Sequence, residues 1–404
     1  MLHFFYSFSQ LPTIDIAGAS NFELLSAAKF RDKVIPFSHL YVTSNPYFRK
    51  IRDSLPDIDK AKLKTMNAAQ VQAVESHQYF PMELNSLGQD VVGSIKSQSS
   101  TKQVVNIVVV NGIGSGFGDN YVGLGAMQRL QSLLAPIKVN FHLMQRMDKR
   151  VAPVYMREPN IFLLNNCLPL KQFFAMDYFV NLTGMLGFLE FDELPLVRFM
   201  GKSFGVNEQS SVEQLQPKLR LDELKKQSLA YMLKMQFPSH DERPLVLFHP
   251  QASSPVRSIK KSIADPIISA LIAYGFNVIS AIPYGFKADE FFSADEFSSN
   301  IDDLLHITAC CDAVISVGTV LYHLSAALNK PTILLPSVRA DLESGKALPQ
   351  VTPWLPDDSK DLILDKHKSR KEEDMAIAEQ IWGNINPEEL AKALMAMLKS
   401  RQND

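Results

Sequence analysis

Three segments of this sequence concentrate groups able to hold an anionic substrate and move a proton. The first is Asn111-Gly112-Ile113-Gly114-Ser115-Gly116-Phe117-Gly118-Asp119-Asn120, placed directly after a β-branched run. Its glycines permit positive φ and remove the Cβ atoms that would block an approaching phosphate, sugar or acceptor, although a tight turn that only packs a helix onto a sheet would use them equally. The dinucleotide fingerprint G-x-G-x-x-G fails here. Counted from Gly112 its third glycine falls on Phe117, and counted from Gly114 it falls on Asp119, which disfavours a nicotinamide-dependent oxidoreductase. Asp119 has two readings: a helix N-cap, or a general base that takes the proton from an attacking hydroxyl. Gly116, Gly118 and Asn120 flank it as candidates for the acceptor side of such a site.

The second segment, His249-Pro250-Gln251-Ala252-Ser253-Ser254-Pro255-Val256-Arg257-Ser258-Ile259-Lys260-Lys261, interleaves hydroxyls and cations after another apolar strand. Ser253 and Ser254 can donate to phosphate oxygens, and Arg257, Lys260 and Lys261 can neutralise a diphosphate; a solvated basic turn has the same composition. The third runs from Ile315 to Pro331. A strand ending at Val317, Gly318, and a helix starting near Thr319 would present backbone N–H groups and a hydroxyl to an anion, with Val320 and Leu321 in the first turn. His323 lies one turn in, where a lone histidine on an apolar helix is more often a hydrogen-bonded core residue than a catalyst.

The elements that must position these segments alternate at the short spacing of βαβ units. The polar run Ser97–Lys102 precedes the strand-like Val104–Val110, Tyr121–Leu134 has helical periodicity, and Ile137–Leu143 reads as the next strand. After Pro238–Pro244, the pattern gives strands at Leu245–Phe248, Phe276–Ala281, Ala313–Val317 and Thr332–Leu335. Helices are expected between them at Ile263–Tyr274, Asp302–Ala309 and Leu321–Leu328, and Pro387–Lys399 reads as a packing C-terminal helix. Each half opens as a doubly wound α/β domain does. The first hundred residues lack the alternation, with Leu24–Phe30 and Asn67–Ser76 as helix candidates. The chain therefore divides into an N-terminal extension of mixed structure over 1–101, a Rossmann-like domain over 102–242 and a second over 243–404.

Composition bounds the function. With 404 residues, 46% apolar and 21% charged, the chain is long enough for several domains and has no signature of disorder. Its 41 basic against 43 acidic residues create no global field for nucleic acid, so an anion site has to be local. Three cysteines, Cys167, Cys310 and Cys311, have no zinc spacing and fit a reducing compartment, with the adjacent pair read as buried small residues. No apolar run approaches the roughly 20 residues that span a bilayer, and the N-terminus lacks the basic region of a secretory signal. A cytoplasmic protein is expected, with contact at the inner face of the membrane left open.

The three segments, in this order, resemble the bacterial heptosyltransferase-type glycosyltransferases that use ADP-heptose. Val105–Leu130 is similar to that family's opening strand, Gly-Asp loop and helix, with Gly118-Asp119 on the Gly-Asp pair. Leu245–Lys260 is similar to its strand and HPGAS loop, and Ile315–Pro331 to its SVDTGLSHLAAALGKP signature. The resemblance implies the GT-B fold, α/β with two Rossmann-like doubly wound domains facing across a cleft. It further implies Asp119 as catalytic base, Ser253 and Arg257 as holders of the donor diphosphate, and Thr319–His323 binding it from the other side. Arg257 aligns with the family's loop lysine, with Ser254 as an additional residue. The departures are Gly318 for the signature's Asp, Val320 for its Gly, Tyr322 for its Ser, and Gln251 for a loop glycine.

The activity implied by this resemblance is that of a metal-independent transferase, with no cofactor beyond a nucleotide-sugar co-substrate such as ADP-heptose, acting on a hydroxyl of a glycolipid core, glycan or protein. The alternative is a catalytically degenerate GT-B protein that binds a nucleotide or glycan in a scaffolding or regulatory role, a reading favoured by Gly318 and Val320.

Overall fold

A computed structural model describes residues 2–7, 39–44, 63–65, 68–76, 78–110, 117–144, 152–164, 167–182, 194–237, 242–294, 300–365 and 371–402. The chain forms two compact units. One comprises Met1–Gly116, Ala126–Phe188 and Met200–Gln209, the other Phe117–Gly125, Leu189–Phe199 and Ser210–Asp404.

The first unit carries strands β1 (Leu2–Ser7), β2 (His39–Ser44), β3 (Leu63–Thr65), β4 (Met82–Glu83), β5 (Val104–Val110), β6 (Lys138–Met144), β7 (Ile161–Leu164), β8 (Cys167–Pro169) and β9 (Tyr178–Asn181). Five of them form a parallel sheet in the order β4-β9-β5-β6-β7, and four form an antiparallel sheet in the order β3-β1-β2-β8. Segments from both sides of residue 101 thus share each sheet. The β-branched run of β5 is buried from Ile107 to Val110, as expected for a central parallel strand covered on both faces. Asp177 anchors its start: the Asp177 carboxylate accepts from Asn106 N–H at 2.8 Å and pairs with Lys102, while Asp177 N–H donates to the Asn106 carbonyl. The helix expected over Asn67–Ser76 is present at Ala68–Glu75; Leu24–Phe30 lies outside the described residues.

The second unit holds one parallel sheet made of β10 (Leu245–His249), β11 (Asn277–Ser280), β12 (Phe291–Ser293), β13 (Ala313–Val317), β14 (Thr332–Leu335) and β15 (Val351–Pro353). Its order is β12-β11-β10-β13-β14-β15. The chain starts in the middle, winds to one edge, returns, and winds to the other, which is the doubly wound arrangement. The reversal falls between β10 and β13, whose register from Val246↔Ala313 to His249↔Ser316 sets His249 and Ser316 side by side at the carboxyl ends of the two strands. In such sheets ligands bind outside the carboxyl ends at this reversal.

The helices that bear on the site and on the second unit are α1 (Phe117–Leu134), α2 (Glu223–Met235), α3 (Lys261–Ala273), α4 (Ile301–Cys310), α5 (Val320–Ala327), α6 (Arg339–Lys346), α7 (Glu372–Gly383) and α8 (Pro387–Gln402). The α1 helix starts at Phe117 rather than at Tyr121, and its residues 117–125 belong to the second unit. Asp119 therefore sits within the first helical turn, where a carboxylate complements the positive end of the helix dipole. Apolar faces of α3, α7 and α8 bury Ile268, Leu271, Trp382 and Leu394 against Phe248, Val278 and Ile315 of the sheet. Cys311 is fully buried and Cys310 partly so. No helix among the described residues is long and apolar enough to cross a membrane.

One buried histidine joins two helix starts. His306 Nε2 accepts from Asp222 N–H at 2.9 Å, at the cap of α2, and its Nδ1 approaches the Asp302 carbonyl at 2.6 Å. Lys225 adds ion pairs to Asp302 and Asp303 across the same helices. Replacing His306 with Leu removes the acceptor that ties the Asp222 amide to α4, a hydrogen bond worth about 0.5–1.5 kcal/mol. His306→Leu is therefore expected to lower the denaturation midpoint without changing the denaturant slope, and an unaltered midpoint would contradict this role.

Candidate functional site

The loop after β10 is held by its own side chains. Pro255 opens a single 3-10 turn over Pro255–Arg257, a position where its missing N–H costs nothing. Ser258 Oγ accepts from Ala252 N–H at 3.0 Å and donates to the Ser254 carbonyl at 3.0 Å, while Ile259 N–H reaches back to the Pro250 carbonyl at 2.7 Å. From below, Ser337 Oγ donates to the Val256 carbonyl at 2.5 Å. This bracing fixes Arg257, which donates from Nη1 to the Gly318 carbonyl at 2.9 Å and faces Asp341 Oδ1 at 3.6 Å. The loops following β10 and β13, the two strands at the reversal, are thereby tied together.

At the second loop, Thr319 caps α5: its Oγ1 accepts from Leu321 N–H at 3.2 Å and lies 2.9 Å from Ser316 Oγ. Gly318 is a glycine because of space. Its φ is not positive, yet a Cβ there would overlap Asp341 Oδ2 and come to 2.8 Å from Oδ1. Tyr322 is buried against the same group. Burial first, and the Asp341 carboxylate second, push its phenol well above the ordinary tyrosine range; Arg257 and a hydrogen bond with Ser344 oppose this, and Asp119 adds to it. Tyr322 thus feels Asp119, Arg257 and Asp341, which brings the influence of residues from all three sequence segments onto one side chain.

The remaining expected site residues take varied places. Gly118 packs on the ring of His323, so that a Cβ would lie 3.3 Å from His323 Cδ2. Asn120 is fully buried, and Gly116 lies outside the described residues. Ser253 is exposed, whereas Ser254 is buried and its Oγ has no hydrogen-bond partner among the described residues; the same holds for Arg257 Nε and His249 Nδ1. Lys260 points to Glu379 of α7, at 2.5 Å, and Lys261 pairs with Asp265. Val320 is half-buried, and Leu321 is core. Sequence reasoning missed Asp341 and Ser344, which lie in a charge-rich stretch, Arg339–Lys346, that reads as an ordinary surface helix. The one available signal was the glycine at 318.

Ser254 Oγ and Arg257 Nε, at the carboxyl end of β10, can both donate to phosphate oxygens, and a carboxylate in the first turn of α1 can accept a proton.

Two histidines of the site are held neutral. Burial pushes His323 down to about 3 and His249 to about 4, the latter opposed by the Gln251 backbone. Their folded values lie below the ordinary 6.5, so the unfolded chain takes up protons that the folded chain refuses as pH falls. Their stabilisation is complete above about pH 6.5 and drains away toward pH 4, with a slope of up to about 1.4 kcal/mol per pH unit for each histidine. Denaturation midpoints measured from pH 7 to pH 5 should fall, and a His249→Gln/His323→Gln double variant should show a visibly flatter profile; parallel profiles would contradict the assignment.

Comparison with known proteins bears on the fold. No protein-family model and no curated protein matches the chain. Among solved structures it is similar to the ADP-heptose LPS heptosyltransferase II of E. coli, with a TM-score of 0.51 at 16% identity over 74% of this chain and 99% of that one. It is also similar to a glycosyl transferase family 9 protein from Veillonella parvula DSM 2008, with a TM-score of 0.52 at 12% identity over 73% and 97% of the two chains. The resemblance carried by the three motifs is thus matched at the level of architecture, and the chain shares the α/β fold of heptosyltransferase-type glycosyltransferases.

Proposed function

We propose that this protein is a metal-independent glycosyltransferase of GT-B type, moving a sugar from a nucleotide-diphosphate donor to an acceptor hydroxyl. The observation that supports it best is the braced loop at the sheet reversal, which fixes the Arg257 guanidinium beside the Gly318 carbonyl at the start of α5. In this reading the donor diphosphate lies against that loop and the start of α5, and Asp119 serves the acceptor. As the acceptor oxygen bonds to the anomeric carbon, the bond from that carbon to the diphosphate breaks, the nucleoside diphosphate leaves with the electron pair, and the hydroxyl proton passes to Asp119. Because the fold is shared with a protein named an ADP-heptose transferase, an ADP-linked heptose is the first donor to test, with a glycolipid core as the first acceptor.

A second reading, a nucleotide- or glycan-binding protein without transfer activity, is favoured by the charge pairing. Arg257 faces Asp341 and Lys260 faces Glu379, so two cations assigned to the diphosphate already have partners.

The two readings separate in one experiment. Thermal shifts with a panel of nucleoside diphosphates and nucleotide-sugars identify the donor, since a ligand that binds only the folded state raises its stability. With that donor, Asp119→Asn should leave binding unchanged and lower transfer by about 10²–10⁴-fold, the usual contribution of a general base. Unchanged turnover removes Asp119 from the mechanism, and binding without transfer by the wild-type protein to any acceptor supports the second reading.

A further inference from the structure

The glycine at 318 and the aspartate at 341 form a matched pair. Gly318 has no positive φ, so its backbone is open to any residue; the Asp341 carboxylate is seated where a side chain at 318 would go. That carboxylate is delivered from another element, the first turn of α6, and is almost fully buried. It is not idle there. Arg257 Nη1 spans the Gly318 carbonyl at 2.9 Å and Asp341 Oδ1 at 3.6 Å, and the Arg257 side chain is itself largely buried.

We propose that Asp341 is the positioning residue for Arg257: it supplies from α6 the carboxylate that a side chain at 318 would otherwise bring, and holds the guanidinium in one orientation for binding a diphosphate. An arginine without such a partner would spread over many rotamers, and ordering it would then weaken binding. The carboxylate and the Gly318 carbonyl together hold Nη1 and so fix the plane of the guanidinium. The proposal rests on the donor-site reading above for its ligand, and on the contact geometry alone for the coupling between 318 and 341.

The two positions can be exchanged. Asp341→Ala removes the carboxylate, Gly318→Asp forces a side chain into occupied space, and Gly318→Asp/Asp341→Ala moves the carboxylate to the other element with the space vacated. Binding is read by calorimetry with the nucleoside diphosphate selected from the panel and, independently, with inorganic pyrophosphate; folding is read by thermal melting without ligand. Asp341→Ala is expected to weaken binding of both by at least about tenfold, equivalent to about 1.4 kcal/mol. Gly318→Asp is expected to melt below the wild type. The exchanged variant should melt above Gly318→Asp and recover affinity to within about threefold of the wild type. A purely structural role for Asp341 would restore melting without restoring affinity, and that result overturns the proposal, as does wild-type affinity in Asp341→Ala. If pyrophosphate binds and is lost in Asp341→Ala while no nucleoside diphosphate binds at all, the donor reading falls and the positioning role stands; if neither binds the wild type, both fall.

Discussion

The site depends on a single buried contact, the guanidinium of Arg257 held between the Gly318 carbonyl and the Asp341 carboxylate. A charge this far from water is tolerable only when matched, and removing one partner of such a pair leaves the other uncompensated. The pair does more than cancel charge. It joins the loops following β10 and β13 to the first turn of α6. The neighbouring hydrogen bond from Ser337 to the Val256 carbonyl performs the same joining one residue away.

That contact is possible because of how the sheet is wound. Strands β10 and β13 are adjacent in space although β11, β12 and α4 separate them in sequence. Their chain reversal opens the sheet's carboxyl edge at one point, and the loops from both strands converge there. The parallel register sets His249 beside Ser316, so the two loops leave the sheet level with each other. Burial of β11, β13 and β14 on both faces holds this register, since a slip would turn their apolar side chains against the wrong neighbours. The packed core is thus what fixes the distance from Arg257 to Gly318.

Much of this is legible in the sequence, and the rest is hidden for physical reasons. The strands Ala313–Val317 and Thr332–Leu335 occur where the sequence predicts them, because fully buried parallel strands read as unbroken apolar runs. The edge strands β12 and β15 have three residues each, too few for any period to show. Phe117–Asn120 reads as loop because glycine has poor helix propensity, but the first turn of α1 includes it. Arg257 and Gly318 both stand out from local composition, while Asp341 does not: its importance lies in a contact across sequence, which propensity and spacing do not encode. Lys260 shows the opposite error. A lysine in a basic loop invites a phosphate, and only the fold reveals that Glu379 already faces it.

Charge pairing also constrains what kind of recognition this site can perform. The loop's two foremost cations are each matched by a carboxylate, and the chain as a whole carries a formal charge of −2. A diphosphate would therefore gain little from net attraction at a distance. What remains is short-range and directional: a guanidinium fixed by two partners and the capped start of α5. Preorganised groups of this kind discriminate by geometry, because the fold already holds them in place. In the proposed reading, fixed groups of this kind would favour a ligand of defined shape over any polyanion, as a generic basic patch would not.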